Sequence, residues 1–194
     1  MARERFPGGR RAERGPWARW APGGTVPAMA ATLHLTCGLP CAGKTTLARE
    51  LERRHRALRL TSDEWIRRLW PDGSDAEFDA ARLPVEGVQW DVALRTLELG
   101  CDVVLDWGVW TRAERTRCRE GARRVGARVE LHFLDLPVDE LWLRLRRRNT
   151  EAPPGTFRFG RDLLDRYALR FERPSPGELA SFDPPREDRP AARG

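Results

Sequence analysis

The chain predicts an α/β domain with a mainly parallel sheet of four or five strands, on three observations. From residue 33 onward, short apolar runs alternate with segments of helical periodicity. One run, "DVVLD" (Asp102 to Asp106), is continuously apolar and ends in a carboxylate, as suits a buried parallel strand. The first strand-like run passes into its helix through a glycine-rich turn, "GLPCAGKTT" (Gly38 to Thr46).

"LHLTC" (Leu33 to Cys37) reads as the first strand, followed by a helix over Lys44 to Arg54 with Leu47 and Leu51 at i,i+4. "LRLTS" (Leu58 to Ser62) reads as the second strand and Asp63 to Trp70 as a short helix. Val85 to Leu99 predicts a longer helix with Val88, Val92 and Leu99 on or near one face, Trp90 widening the stripe. After the "DVVLD" strand come a helix over Thr111 to Val125, a strand over "RVELHFLDL" (Arg128 to Leu136) and a helix over Val138 to Asn149. Pro153, Pro154 and Gly155 break helical order in the loop Asn149 to Asp162, and Arg161 to Phe171 is the last predicted helix. Alternation of this kind implies right-handed crossovers. There is no internal repeat and no clear fifth strand.

Composition divides the chain into three segments. Residues 1–28 are rich in Arg, Gly, Pro and Ala without periodicity, which predicts a disordered extension, with Trp17 and Trp20 as stray residues. Met29 directly precedes the first strand, so the expected translation start is there. Residues 29–173 form the domain, and 174–194 a proline-rich tail. A chain of 194 residues is long enough for one domain with a substantial core.

The formal charge of +6 does not mark a nucleic-acid binder, because the first 28 residues hold six Arg and two Glu and leave only +2 for the remainder. Cys37, Cys41, Cys101 and Cys118 are too sparse for a disulfide scaffold, and no second metal-like pair lies downstream of Cys37-x3-Cys41; they read as reduced thiols of a cytoplasmic protein. Arg10-Arg11 imitates a twin-arginine signal, but Pro16, Pro22, Gly23, Gly24 and Pro27 interrupt the residues after it, so no apolar leader region forms.

Lys44 is the one lysine of the chain, against 34 arginines. Gly38-x4-Gly43-Lys44-Thr45 matches the phosphate-binding P-loop and sits after a strand and at the opening of a helix, where main-chain N–H groups and the helix start can hold a polyphosphate. Gly38, Leu39, Pro40, Cys41, Ala42, Gly43, Lys44, Thr45 and Thr46 are therefore the expected nucleotide contacts. A compact ammonium on a flexible stem fits inside such a wrap, whereas a planar guanidinium does not, which explains the retained lysine. Lys44 is expected to reach the β and γ phosphates, Thr46 the α phosphate, and Thr45 to give its hydroxyl to Mg²⁺. Asp106, at the end of an apolar strand, is the expected second Mg²⁺ residue, against the alternative of a turn-forming Asp. It is succeeded by Trp107-Gly108 with no adjacent Glu to activate water, which favours group transfer over steady ATP hydrolysis.

Asp63 comes directly after the second strand, so one strand-helix-strand step returns it to the sheet edge near the γ phosphate, where it could act as general base toward a hydroxyl. The competing reading is that Thr61-x-x-Glu64 is a capping box and Asp63 a dipole-favoured residue in the first turn. In "ELWLRLRRRN", Arg144 and Arg148 fall at i,i+4 beside Leu141 and Leu145 and could clamp the transferring phosphoryl group, while Arg146 and Arg147 read as solvated. Arg67, Arg112 and Arg115 are weaker candidates for substrate contact, and Trp107 and Trp110 for an acceptor pocket. Core packing is the better reading of Trp90 and Trp142, and of His34 and His132.

On "GLPCAGKTT", "SDEWIRR", "VVLDWGVWTRAER" and "LDLPVDELWLRLRRRN", the chain resembles the P-loop kinases that include polynucleotide 5′-kinases, zeta toxins and chloramphenicol phosphotransferase, often described as AAA-family ATP-binding proteins. The match covers about Leu33 to Phe171. The resemblance implies the three-layer sandwich of a P-loop NTPase with an Arg-bearing lid, with Asp63 as general base, Arg67 as an acceptor-side contact and Arg144 and Arg148 as lid arginines. Polynucleotide kinases carry Asp-x-x-Arg where this chain has Asp63-x3-Arg67, and an Asn-rich turn where it has Trp107-Gly108-Val109-Trp110. The function expected is an ATP- and Mg²⁺-dependent phosphotransferase acting on a hydroxyl of a small molecule. The alternatives are a polynucleotide 5′-kinase, which the modest charge of the core disfavours, and a nucleotide-binding regulatory module without transfer activity.

Overall fold

The computed structural model describes residues 30–151 and 158–186. Among them four strands, β1 (Thr32–Cys37), β2 (Leu58–Leu60), β3 (Val103–Gly108) and β4 (Arg128–Phe133), form one parallel sheet in the order β2-β3-β1-β4. Seven helices connect and flank them: α1 (Lys44–His55), α2 (Ser62–Leu69), α3 (Asp75–Glu98), α4 (Arg112–Arg124), α5 (Val138–Glu151), α6 (Arg161–Arg170) and α7 (Pro176–Leu179). No helix among the described residues is long and apolar enough to cross a membrane. The sequence readings of residues 1–28 and of Pro153, Pro154 and Gly155 lie outside the described residues.

Alternation of side chains along each strand divides the sheet into two unlike faces. Leu33, Leu35, Val103, Leu105 and Val129 point into the main core, where they meet Ala93 and Leu97 of α3 and Cys118 and Ala122 of α4. The opposite face packs Val104 against Ala48 and Leu51 of α1. On that second face Val104, His34 and Glu130 are register partners across β3, β1 and β4. The sheet is therefore apolar on one side and half polar on the other.

Helix α3 begins ten residues earlier than periodicity predicts. Ser74 and Glu77 form a reciprocal capping box that starts it, and it continues through the exposed Pro84. Its buried stripe is Val85, Gln89, Ala93 and Leu97, whereas Val88 and Leu99, expected to face inward, are exposed. The stripe is masked in the sequence by Gln89, a fully buried amide whose Oε1 accepts a hydrogen bond from Trp107 Nε1 at 2.8 Å. Trp90 lies against Gly121 of α4, in keeping with a packing role.

Residues 174–186, read from the sequence as the start of a proline-rich tail, pack onto the domain. Asp183 both donates to and accepts from the Val129 backbone, at 2.8 and 2.7 Å, and Phe182 is buried in the main core. Ser175 caps α7 and presents Glu178 to Arg115. Arg115, a candidate substrate contact from sequence, is instead fully buried: its Nε and Nη2 donate to the two oxygens of Glu178 at 2.6 and 3.0 Å, and Nη1 donates to the carbonyls of Val109 and Trp110. The reason is geometric, since Arg115 lies one turn into α4 on the face shared with Cys118 and Ala122.

Removing one partner of such a buried pair leaves an uncompensated charge. Glu178→Ala is expected to lower unfolding free energy by about 3–5 kcal/mol, and Glu178→Gln, which keeps shape and one acceptor, by less. Urea denaturation of the two variants checks this; equal stability of Glu178→Ala and the parent would refute it.

Candidate active site

The bend from β1 into α1 is shaped by backbone crowding. A Cβ on residue 38 would lie 2.7 Å from the Leu134 carbonyl oxygen, and Gly43, at φ 100°, holds the left-handed conformation that opens α1. Both P-loop glycines are thus required by geometry. Leu39 and Ala42 bury their side chains with Leu141 and Leu145 of α5 and Leu164 of α6, so what they can offer a ligand is their main chain. Cys41 takes φ 66°, a positive value carried by a non-glycine residue within the bend. Thr45 and Thr46 are exposed on the first turn of α1.

Lys44 Nζ donates to the Leu39 carbonyl at 2.8 Å, which holds the ammonium inside the bend. Burial lowers its pKa, opposed by the charges of Asp106, Cys41 and Asp63. Asp106 lies within β3, which runs two residues past the predicted end. Its carboxylate is buried and its pKa is raised by that burial, against hydrogen bonds from Thr45 and Thr61 and the charges of Lys44 and Arg59. The hydroxyl of Thr45 and the carboxylate of Asp106 therefore face each other, a pair of hard oxygen donors suited to Mg²⁺.

The capping-box reading of Thr61 and Glu64 is corrected. Thr61 precedes α2 without a side-chain capping bond; its hydroxyl instead donates to Asp106 Oδ2 at 3.4 Å. Glu64 turns to Arg59, whose guanidinium also bonds Glu52 at 2.9 Å and lies 3.8 Å from Asp106 Oδ2. Arg59 escaped sequence reasoning, although its place between Leu58 and Leu60 put it on the strand face that bears the P-loop helix.

Asp63 stands in the first turn of α2, half exposed, two residues beyond a threonine that touches Asp106, and its charge acts on Lys44. Arg82 of α3, unforeseen from the sequence, donates to Asp63 Oδ1 at 2.9 Å and to Ser62 Oγ at 3.3 Å. No local motif announces this contact, since 19 residues and a turn separate the pair.

Gly108 is squeezed between two groups. A Cβ there would meet Trp110 Nε1 at 3.1 Å and Lys44 Cε at 3.2 Å, so the Trp110 indole lies beside the P-loop lysine. Trp110 packs on Tyr167 of α6, with ring centroids 4.9 Å apart, and Tyr167 on Phe159 at 5.9 Å. Trp107 is half-buried and tied to Gln89. The arginines of α5 diverge: Arg148 lies over Phe159 with Nη1 3.8 Å from Cys41 Sγ, while Arg144 pairs along its own helix with Glu140 at 2.7 Å. Arg67 is exposed in the last turn of α2, and Arg112 opens α4, where its main-chain N–H donates to Glu172 at 2.7 Å. The site thus gathers Lys44, Thr45, Asp106, Asp63, Trp110 and Arg148 at one end of the sheet, and leaves Arg115 in the core.

Comparison with known proteins bears on the family and the fold. A family model described as "AAA domain" matches residues 33–174. Among solved structures, the chain is similar to Kti12 of Chaetomium thermophilum in complex with ADP-AlF3 (20% identity, 75% of this chain and 82% of that one, TM-score 0.54). It is also similar to a sugar kinase of Janibacter sp. HTCC2649 (19% identity, 76% and 82%, TM-score 0.53). A chain of the Pnkp1/Rnl/Hen1 RNA repair complex matches at 19% identity over 79% of this chain and 46% of that one, with a TM-score of 0.59. No curated protein sequence matches. With its P-loop between the first strand and helix of a parallel β2-β3-β1-β4 sheet, the chain belongs to the AAA-domain family and has the P-loop NTPase fold shared by kinases.

Proposed function

We propose that the protein transfers the γ phosphate of ATP to a hydroxyl group of a small molecule. The observation that carries this reading is Asp63: a carboxylate at the same end of the sheet as Lys44 and Asp106, felt electrostatically by Lys44 and oriented by Arg82. A protein that only holds nucleotide has no need of such a group.

In this mechanism the triphosphate lies against the main-chain N–H groups of residues 43–46, at the opening of α1, and Lys44 exchanges the Leu39 carbonyl for phosphate oxygens. Thr45 and Asp106 would hold Mg²⁺, which supplies charge neutralisation at the β and γ oxygens when bound. Asp63 accepts the proton of the acceptor hydroxyl as that oxygen bonds to the γ phosphorus and the β–γ bridging bond breaks, leaving ADP. Arg82 keeps the carboxylate turned toward the acceptor, and Arg148 approaches the P-loop from α5. Trp110 and Tyr167 offer an aromatic wall beside Lys44, which suits an acceptor with an apolar body better than a nucleic-acid backbone. Trp107, Arg67 and Arg112 are the weaker candidates for contact with the acceptor.

The Asp63–Arg82 ion pair also favours a second reading, a nucleotide-binding regulatory module, because the contact can serve simply to fasten α2 to α3. Labelled ATP, with a panel of hydroxyl compounds and nucleic-acid 5′ ends as acceptors, separates the readings. Transfer to a small hydroxyl compound is expected. Turnover only with 5′ ends would make the protein a polynucleotide kinase, and ATP binding without any transfer would leave the module. Asp63→Asn is expected to lower kcat with the identified acceptor on the order of 100- to 10,000-fold with ATP affinity kept; full turnover in that variant sinks the mechanism. Lys44→Ala is expected to lose about 100- to 1,000-fold in kcat/KM with unchanged circular dichroism, and unaltered ATP binding would contradict the role given to this lysine.

A further inference from the structure

The chain has three histidines, and all three meet in one cluster away from the P-loop. His34 is fully buried on β1, His132 faces it from β4, and the ring of His55, the last residue of α1, stacks on His34 with centroids 4.7 Å apart. His34 lies four residues before Gly38, about 13 Å along an extended strand, so this cluster is separate from the nucleotide site.

Three donor atoms converge on one point. His34 Nδ1 is 3.2 Å from His132 Nε2 and 3.3 Å from Glu130 Oε2, and His132 Nε2 is 3.8 Å from Glu130 Oε2. Ligands at the usual bond lengths of a tetrahedral zinc ion, about 2.0–2.2 Å, stand about 3.3–3.6 Å apart. The triangle already has nearly those edges. Hydrogen bonding satisfies the triangle in only one tautomer of His34. If the His34 proton is on Nδ1, Nε2 is a bare buried acceptor; if it is on Nε2, that N–H is buried without an acceptor, and the Nδ1 lone pair faces the Glu130 oxygen. A cation at the centre of the triangle removes the second difficulty, and a carboxylate oxygen of Asp102 lies within 4.8 Å of a ring nitrogen of His34 and of one of His55. Glu130 is prepared for such a division: its Oε1 accepts the Arg186 main-chain N–H at 2.9 Å, leaving Oε2 for the histidines.

We infer that His34 Nδ1, His132 Nε2 and Glu130 Oε2 form a binding site for a divalent transition metal of the zinc class. Two imidazoles and one carboxylate select such an ion over Mg²⁺ or Ca²⁺. Water completes the tetrahedron, and the partly exposed His132 is the route of entry. Bound there, the ion ties β1 to β4 beneath the C-terminal segment that Arg186 anchors to Glu130.

The test uses the untagged full chain, stripped with chelator and titrated with Co²⁺ and Zn²⁺. One Co²⁺ per chain with a tetrahedral visible spectrum, no sulfur-to-cobalt charge-transfer band, and a Zn²⁺-dependent rise in Tm is the expected result. His132→Gln, at a partly exposed position, is expected to weaken binding by on the order of 100-fold or more, while Asp106→Asn, which alters the Mg²⁺ candidate, leaves Co²⁺ stoichiometry and spectrum intact. Absence of Co²⁺ binding by the parent chain, a thiolate band, or binding unchanged by His132→Gln would each overturn the assignment. None of these readouts depends on phosphotransfer, so the outcome is independent of the proposed function.

Discussion

The approach of the Leu134 carbonyl to Gly38 is the constraint on which the site rests. No side chain fits in the 2.7 Å between that oxygen and the place where a Cβ would stand, so the chain leaving β1 must be glycine and must turn there. The Leu134 N–H donates to the Cys37 carbonyl at 2.9 Å, which draws the end of β4 against the end of β1. The bend is then pinned from below by Leu39 and Ala42, whose side chains sit among the apolar residues of α5 and α6. A phosphate cradle made of main chain is rigid only if something else holds the main chain, and here the second core does so.

Around that bend, the charged groups are balanced against burial. Asp106 is costly to bury as an anion, and its surroundings answer with two hydroxyls, Thr45 and Thr61, and two cations, Lys44 and Arg59. Arg59 in turn is satisfied by Glu52 of α1 and Glu64 of α2, so one side chain on the edge strand β2 ties both helices that border the site. A network in which each member has partners is stable in a low-dielectric setting, where a half-satisfied one would not be.

The turn after β3 that carries Val109 and Trp110 depends on a more distant device. Val109 has a positive φ of 28°, and three groups hold its backbone or that of its neighbour: the Cys37 thiol, the Arg115 guanidinium and the Glu172 N–H. Arg115 can do this while buried because Glu178, delivered by the C-terminal segment, neutralises it. The turn that carries Val109 and Trp110 is therefore held by residues more than 60 positions further along the chain.

Local features could be read from the order of residues alone. The P-loop was legible because its glycines, lysine and threonine lie within nine residues and each has one physical reason to be there; the strands and most helices were legible because apolar periodicity is a property of neighbours. Asp106 and Asp63 stood out as candidates because each ends or follows a strand-like apolar run, and a parallel sheet delivers such positions to a common edge. Whatever required a partner remote in the chain emerged only on packing. Arg115 looks like any other arginine among 34 until Glu178 is seen beside it, Gln89 interrupts a helical stripe for the sake of Trp107, and Arg82 reaches Asp63 from another helix. His34 and His132, unremarkable in their own strands, become one constellation with Glu130 because β1 and β4 are neighbours in space. Periodicity reports which face of an element is buried, but the pairing of buried charges is set by which faces meet, and that is fixed only when the whole chain has packed.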